Sequence, residues 1–345
     1  MDIYGNGGAA MTIRERYEET EKAILSPDAC LSANTKGRLN EEEKCPVRTD
    51  FQRDRDRVIH CKSFRRLKHK TQVFLSPEGD HYRTRLTHTL EVAQIARTVA
   101  RALRLNEDLT EAISLAHDLG HTPFGHAGER ALDSLYPGGF RHYEQSLRVV
   151  DRLEKNGRGL NLTYETRNGI LCHTTGTQAD TAEGRIVRIA DRIAYINHDI
   201  DDALRAGVLS ERALPTEAVE LLGRSTSERI NTLVIALIEN SDGNELSLGE
   251  EIQGVFDRLH RFMFASVYRN DSAKHEENKV PDLMAFLYEY FNKHPERMPD
   301  ENKLTASREG KERAVCDYLA GMTDRYAVEQ FKSLFIPDSW VGYRM

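Results

Sequence analysis

Apolar residues recur at helical spacing along most of this 345-residue chain. The strongest pattern runs over residues 86–103, and a second, over 112–119, ends at Gly120, a residue type that commonly terminates helices. A third pattern, over 186–196, is apolar on a broad face, so we expect this helix to lie at the centre of the fold. Similar patterns predict further helices at residues 11–29, 145–153, 215–223, 225–240, 248–268, 280–292 and 309–319.

Little of the chain has the alternating pattern of a β-strand. Residues 73–75 are the best candidate for a short strand, and the polar residues 30–50 are expected to be irregular. The chain is therefore predicted to be mainly α-helical. The polar residues 30–50 and a polar stretch at 240–244 suggest boundaries between three parts. These are an N-terminal tail and helix (1–50), a central helical bundle (51–240) and a helical C-terminal extension (241–345).

The composition fits a soluble globular protein, with 39% hydrophobic and 30% charged residues. The net charge of −7 does not indicate nucleic-acid binding by the chain as a whole. No apolar stretch is long enough to span a bilayer, and the N-terminus lacks the regions of a signal peptide. The five cysteines are odd in number and form no C-x-x-C pair, which predicts reduced thiols in a cytoplasmic protein.

The second apolar helix ends with a histidine and a carboxylate side by side, His117 and Asp118. His88 and Asp191 lie in the two other strong helices, and Asp191 is surrounded in sequence by apolar residues, where an unpartnered carboxylate would be costly to bury. Two imidazoles and two carboxylates suit a first-row divalent ion or Zn²⁺ and leave positions for water. Alternatively, His117 could be present only because a cationic side chain stabilises the C-terminus of a helix. This explanation does not account for His88 and Asp191.

Three more histidines lie close to the His-Asp pair in sequence: His121, His126 and His142. An imidazole titrates near neutral pH, so each could be a general acid beside a bound phosphate, or could only support the site. Glu129 follows His126 by three positions and could orient one of these rings.

Arg85 precedes His88 by one helical turn, where it would bind an anionic oxygen beside the metal. Asp191, Tyr195 and Asp199 are spaced four residues apart, so they share one face of a helix. This face is a candidate ligand-binding wall. Alternatively, Tyr195 could be a core residue and Asp199 part of a solvated acidic surface.

These motifs resemble the HD-domain phosphohydrolases, and within them the bacterial dGTPase-like deoxynucleoside triphosphate triphosphohydrolases. The motifs are Arg85-Leu86-Thr87-His88, His117-Asp118-Leu119-Gly120-His121-x-Pro123-Phe124-x-His126 and Asp191-x-x-x-Tyr195-x-x-x-Asp199. Supporting matches lie at 51–57, 65–74 and 317–326, so the resemblance covers about residues 50–330 and is looser across 200–300.

The resemblance implies an HD-domain helical bundle that hydrolyses a deoxynucleoside triphosphate to a deoxynucleoside and inorganic triphosphate, by water attack at the α-phosphate. It implies these roles by position: metal ligands His88, His117, Asp118 and Asp191; catalytic residues His121, His126, His142 and Glu129; phosphate contacts Arg85 and Arg192; deoxyribose contacts Gln72, Tyr195 and Asp199. We favour His126 as the proton donor.

The ligand set accepts Mn, Mg, Co, Fe, Ni or Zn, and we favour Mn or Mg. The resemblance further implies a homo-oligomer, with a hexamer among the arrangements, and a nucleotide or single-stranded DNA as effector. The sequence does not indicate which base is preferred.

Two other functions are compatible with the sequence. One is an HD phosphohydrolase of other specificity, a nucleotidase or phosphodiesterase, against which Gln72, Tyr195 and Asp199 argue. The other is a nucleotide-sensing binder of single-stranded nucleic acid, suggested by the basic residues between 53 and 70. Acidic residues interleave this basic segment, which is equally typical of a salt-bridged helix surface. We interpret Gly321-Met322-Thr323-Asp324 as a turn that packs on the bundle, without a catalytic role.

Overall fold

The computed structural model describes residues 11–72, 83–174, 176–243, 245–267 and 276–337. Regular structure in these ranges is helical, and strand-like pairing is limited to the isolated bridges Arg38–Thr163 and Thr71–Thr84. The prediction of a mainly α-helical protein is confirmed. The strand expected at 73–75 lies outside the described residues.

The α-helices in chain order are α1 (Ile13–Ile24), α2 (Asp50–Ile59), α3 (Lys62–Arg66), α4 (Arg85–Ala102), α5 (Glu107–Ala116), α6 (Gly125–Leu135), α7 (His142–Arg148), α8 (Tyr164–Leu171), α9 (Ala182–Arg205), α10 (Thr216–Leu221), α11 (Thr226–Glu239), α12 (Glu250–Ser266), α13 (Val280–Lys293), α14 (Asp300–Glu309), α15 (Lys311–Ala320) and α16 (Asp324–Phe335). Short 3₁₀ turns lie at Ser32–Asn34, Leu67–His69, Glu211–Ala213, Glu277–Lys279 and Pro295–Arg297. A π-helical turn at Val149–Leu153 and a left-handed turn at Glu154–Gly157 follow α7.

Helix α9 is the centre of the fold, as its broad apolar face predicted. Thr181 caps its first turn by accepting a hydrogen bond from the Gly184 amide. The fully buried Ile186, Ile193 and Ile196 belong to a cluster shared with α4, α5, α11 and α12. Burial of each such side chain contributes roughly 1.5–3 kcal/mol. This packing brings α4, the end of α5 and the middle of α9 together.

A second hydrophobic cluster joins the C-terminal extension to the bundle. Phe124 and Leu132, from α6 and the loop before it, are buried with residues of α13, α15 and α16 such as Met284 and Leu319. Helix α12 instead packs in the first cluster through Phe256. Hydrophobic contacts therefore run across the predicted boundary at 240/241, which stays a prediction. No helix within the described ranges is long and apolar enough to cross a membrane.

Candidate metal centre and catalytic pocket

The four predicted metal ligands converge from three helices. His88 lies on α4, His117 and Asp118 directly follow α5, and Asp191 lies on α9. The Asp191 carboxylate lies 3.0 Å from His88 Nε2 and 3.8 Å from His117 Nε2, and Asp118 Oδ1 lies 3.7 Å from His117 Nε2. Ligands 2.0–2.2 Å from one ion lie at most about 4.4 Å apart, so these three separations fit a shared cation. The set whose ligand atoms all lie within 4.8 Å of one another is His88, His117 and Asp118, and Asp191 lies beside it.

The orientation of the His117 ring also fits a metal ligand. Its Nδ1 lies 2.6 Å from the Ser114 carbonyl, to which it donates, so Nε2 carries a free lone pair. That Nε2 atom is buried and has no hydrogen-bond partner among the described residues. A buried polar atom without a partner costs roughly 1–3 kcal/mol, and a metal ion at this atom would relieve that cost.

His88 is oriented from behind by a pair of residues that sequence reasoning did not identify. His88 Nδ1 lies 3.5 Å from His198 Nδ1, and His198 Nε2 lies 2.7 Å from the Glu91 carboxylate. His198 is buried, and burial lowers its pKa. The chain from Glu91 through His198 therefore fixes the ring of His88, whose Nε2 faces Asp191.

Arg85 and Asp118 form a buried ion pair beside the ligands. Arg85 NH1 donates to Asp118 Oδ2 at 2.7 Å, and their side chains are 2% and 5% exposed. Burial raises the pKa of Asp118, but the neighbouring His117 and Arg85 hold it well below its usual range, so Asp118 stays ionised. The Nε and NH2 groups of Arg85 are buried and have no hydrogen-bond partner in the part of the chain that the structure describes. Two guanidinium donors are therefore free to bind an anion at this position.

Three predicted catalytic histidines and a fourth, His173, form a ring cluster next to this ion pair. The His121 and His142 rings stack with centroids 4.6 Å apart, and the His121 and His126 centroids are 5.6 Å apart. His173 lies 5.3 Å from His142 and 5.0 Å from His117, which connects the histidine cluster to the metal ligands.

Glu129 orients His142 rather than His126. His142 Nδ1 lies 3.0 Å from one Glu129 oxygen and 3.1 Å from the other, and its backbone amide donates to the same carboxylate at 2.9 Å. Burial would raise the pKa of Glu129, but the His142 hydrogen bond and charge hold it at about 2. Burial would lower the pKa of His142, but Glu129 raises it. The two groups therefore form an ion pair over the acid range between their pKa values.

The pKa values of His121 and His126 are lowered, whereas that of His142 is raised. Burial and the positive charge of Arg85 lower the pKa of His121 well below its usual range, and that of His126 to about 4. His126 is exposed to solvent, whereas His121 is buried. The lowered pKa values favour the neutral form of both rings at pH 7.

The loop between the metal pair and α6 has an unusual backbone. Phe124 has φ 62° and ψ 26°, the left-handed region, and Gly125 also has a positive φ of 54°. A Cβ at Gly125 would lie 3.4 Å from Arg85 NH2 and 3.4 Å from the Gln72 carbonyl, so the loop backbone passes directly beside both residues. This left-handed step starts α6 and places His126 in its first turn.

The predicted sugar-binding residues lie near this pocket with unsatisfied polar atoms. Within the described ranges, Asp199 Oδ1 and Gln72 Oε1 are buried without hydrogen-bond partners. Burial and the neighbouring Asp202 raise the pKa of Asp199 well above its usual range, which favours a protonated carboxyl. Burial likewise raises the pKa of Tyr195, so it remains a phenol.

Arg192 has a different environment from the other predicted substrate contacts. It lies at the surface, donates to Asp257 on α12 at 2.9 Å, and packs over the Phe256 ring. The contact between Arg192 and a phosphate stays a prediction, and it would require Arg192 to release Asp257.

His173 is the main site residue that sequence reasoning missed. Its Nδ1 lies 2.7 Å from the Ile170 carbonyl, three residues earlier, as His117 Nδ1 does with Ser114. Burial lowers the pKa of His173 to about 3. His173 and His117 both lie just after a helix, and this shared position could have identified His173. The sequence pattern did not predict helix α8, so the position of His173 was not recognised.

Comparisons with known proteins show the family to which this chain is related. Residues 85–196 match the HD domain model, and residues 246–333 match the phosphohydrolase-associated domain model. Proteins called deoxyguanosinetriphosphate triphosphohydrolase-like are similar over nearly the whole chain. One from Caldanaerobacter subterraneus is 57% identical over 96% of this chain and 98% of its own length. One from Desulfatibacillum aliphaticivorans is 48% identical over 96% of this chain and 100% of its own, and one from Clostridium perfringens is 49% identical over 95% and 98%.

Proposed function

We propose that this chain, which belongs to the HD-domain family and within it to the deoxyguanosinetriphosphate triphosphohydrolase-like proteins, hydrolyses deoxynucleoside triphosphates to a deoxynucleoside and inorganic triphosphate. One observation carries this proposal. The buried cluster of His88, His117 and Asp118 lies beside the unpartnered guanidinium donors of Arg85 and beside buried polar groups that can bind a sugar, such as Asp199.

His88, His117, Asp118 and Asp191 would hold a divalent cation, for which Mn²⁺ or Mg²⁺ is favoured. Such a cation supplies Lewis-acid stabilisation of charge on a phosphoryl oxygen. The protein prepares this position by fixing the His117 tautomer through Ser114 and by keeping Asp118 ionised through Arg85.

Arg85 would bind the triphosphate. One arm of its guanidinium donates to Asp118, while Nε and NH2 are buried and no described residue accepts from them. Phosphate oxygens are suitable acceptors because the planar fork of arginine binds them in pairs. The close passage of the Gly125 backbone shapes the space next to this fork.

The leaving 5′ oxygen of the nucleoside needs a proton, which a positioned histidine can donate. The sequence favours His126, whereas the Glu129 hydrogen bonds favour His142, whose Nδ1 is held and whose ring stacks on His121. Replacing each by asparagine separates these candidates. The true donor variant loses activity on deoxynucleoside triphosphates but largely keeps it on nitrophenyl triphosphate, whose leaving group needs no proton.

The far end of the pocket would hold the deoxyribose. Tyr195 and a protonated Asp199 can both donate hydrogen bonds to sugar hydroxyls, and the Gln72 Oε1 atom can accept one. Asp199 is buried and Tyr195 is half-buried, so an analogue that lacks the matching hydroxyl would leave polar groups unpaired and would bind less well.

The proposal is tested with the four deoxynucleoside triphosphates and the ribonucleotides, each with Mn²⁺, Mg²⁺ or Co²⁺, and with product separation by ion-exchange chromatography. We expect inorganic triphosphate, its loss in Asp191→Ala, and its retention in the surface control Asp180→Ala. Release of orthophosphate or pyrophosphate instead would support the alternative, an HD phosphohydrolase of other specificity.

A further inference from the structure

The C-terminal extension makes direct polar contacts with the loop that carries the catalytic histidines. Asp324, the first residue of α16, accepts a hydrogen bond from the Phe124 amide at 3.0 Å. Lys70 Nζ donates to the His121 carbonyl and, at 2.9 Å, to the Ala320 carbonyl at the end of α15. Both Asp324 and Lys70 are buried, so these contacts are shielded from water.

We propose that Asp324 and Lys70 are positioning residues for the reaction proposed above. They hold residues 121–125 in the conformation that places His121 and His126 beside Arg85. This inference rests on the proposed function for its kinetic consequences, and it revises the interpretation of residues 321–324 as a packing turn alone.

Asp324 connects two segments of the pocket through one carboxylate. Its Oδ1 accepts from Phe124, while its Oδ2 accepts from the Thr71 amide at 3.1 Å and the Thr71 hydroxyl at 2.5 Å. Thr71 immediately precedes Gln72, a predicted sugar contact. The start of α16 also favours a negative charge, because the helix dipole is positive there. A single buried carboxylate thus fixes the catalytic loop relative to the substrate-binding segment.

The backbone that Asp324 holds is strained. Phe124 is a non-glycine residue in the left-handed region, where the Cβ atom comes too close to the following carbonyl oxygen. Burial of its ring in the second hydrophobic cluster and the bond to Asp324 stabilise this conformation. If the Phe124 amide lost its acceptor, we expect the loop to relax and move both His126 and the Gly125 backbone that passes beside Arg85.

Lys70 acts from the other side of the same loop. Its ammonium group connects the His121 carbonyl to Ala320, and its own carbonyl accepts from the Arg85 amide at 3.0 Å. The loop, the start of α4 and the extension therefore meet at one residue. Movement of the extension would be transmitted to His121 and Arg85 together.

The extension offers a matched control in Asp317 on α15. This carboxylate is also buried, and it accepts from Gln145 and Arg148 of α7 and from Arg313. It connects the extension to the bundle, but no hydrogen bond described for it reaches residues 121–125. Loss of its charge should destabilise the protein without disturbing the loop.

The test compares Asp324→Asn with Asp317→Asn in the full chain with Mn²⁺. An amide at 324 has one acceptor oxygen instead of two, so it cannot satisfy both Phe124 and Thr71. We expect kcat to fall roughly 10–100-fold, since misplacement by about 1 Å can have this effect. KM should rise by a smaller factor, because Arg85 and Gln72 lie next to the segments that Asp324 holds. Asp317→Asn should lower the melting temperature and leave kcat close to that of the natural protein.

Hydrogen exchange provides a readout that does not depend on activity. The amides of 121–128 should exchange faster in Asp324→Asn and at the natural rate in Asp317→Asn. Equal kcat values in the two variants, or unchanged loop exchange in Asp324→Asn, would overturn the proposal. If Asp324→Asn does not fold, Thr71→Val removes one donor to the same carboxylate and should show the same effects, smaller in size. Absence of triphosphate release from the natural protein would contradict the proposed function. The hydrogen-exchange comparison of the two variants would still test the positioning role of Asp324.

Discussion

Replacement of Arg85 by methionine should destabilise the metal-free protein and increase the stabilisation that a divalent cation provides. Arg85 is 2% exposed, and the Asp118 carboxylate that it contacts at 2.7 Å is 5% exposed. Methionine keeps most of the apolar volume but leaves Asp118 buried without its cationic partner.

The magnitude follows from the burial of this pair. Breaking a buried ion pair by removal of one partner costs about 3–5 kcal/mol, because the remaining charge is uncompensated. A cation bound by Asp118 and its neighbours would supply the missing positive charge and would no longer be repelled by the guanidinium. The variant should therefore bind the cation more tightly, by tenfold for each 1.4 kcal/mol that is recovered.

The assay is urea unfolding followed by far-ultraviolet circular dichroism, which suits a helical protein, with EDTA and with increasing Mn²⁺. Arg229→Met is the matched control. Arg229 is equally buried, and its hydrogen bonds go to Asn197, Arg224 and Thr226, away from the metal ligands. This variant should also be destabilised, but its gain from Mn²⁺ should equal that of the natural protein. If Mn²⁺ stabilises Arg85→Met no more than it stabilises Arg229→Met, the proposal that a cation replaces the charge of Arg85 beside Asp118 is wrong.

Three further predictions concern the pocket. Because the pKa of Glu129 is lowered to about 2 from 4.5 and that of His142 is raised from 6.5, their pairing should stabilise the metal-free protein most between pH 4.5 and 6.5. The stability difference between the natural protein and Glu129→Gln should shrink as the pH falls from 4.5 to 2 or rises through the His142 pKa, and a flat difference in urea unfolding would contradict the pairing. Tyr195→Phe should raise KM for deoxynucleoside triphosphates and leave Mn²⁺ affinity unchanged in calorimetry; an unchanged KM would argue against a sugar contact. Gly120→Ala would place a Cβ 2.1 Å from the Ser146 amide nitrogen, so it should lower the melting temperature and weaken Mn²⁺ binding, and natural values for both would contradict this packing.

The sequence predicts that the candidate metal ligands lie close together, because their convergence depends on regular helices. His88, His117 and Asp191 each lie in or directly after an apolar pattern long enough to place them on the buried side of α4, α5 and α9. Packing of three such helices through their apolar faces brings these polar residues to one place.

Other features depend on contacts between distant parts of the chain. The left-handed conformation of Phe124 is stabilised by Asp324, two hundred residues later, and no local pattern predicts it. Arg55 and Lys62 in the basic segment pair with Asp108 and Glu301. These pairs favour the interpretation of the segment as a salt-bridged surface, which composition alone could not separate from nucleic-acid binding.

The reaction proposed for this pocket is water attack at the α-phosphate with departure of the 5′ oxygen. It is tested most directly by hydrolysis of a deoxynucleoside triphosphate in heavy-oxygen water with Mn²⁺, followed by mass spectrometry of both products. We expect one heavy oxygen in the inorganic triphosphate and none in the deoxynucleoside. Heavy oxygen in the deoxynucleoside, or a deoxynucleoside monophosphate with pyrophosphate as the products, would contradict it.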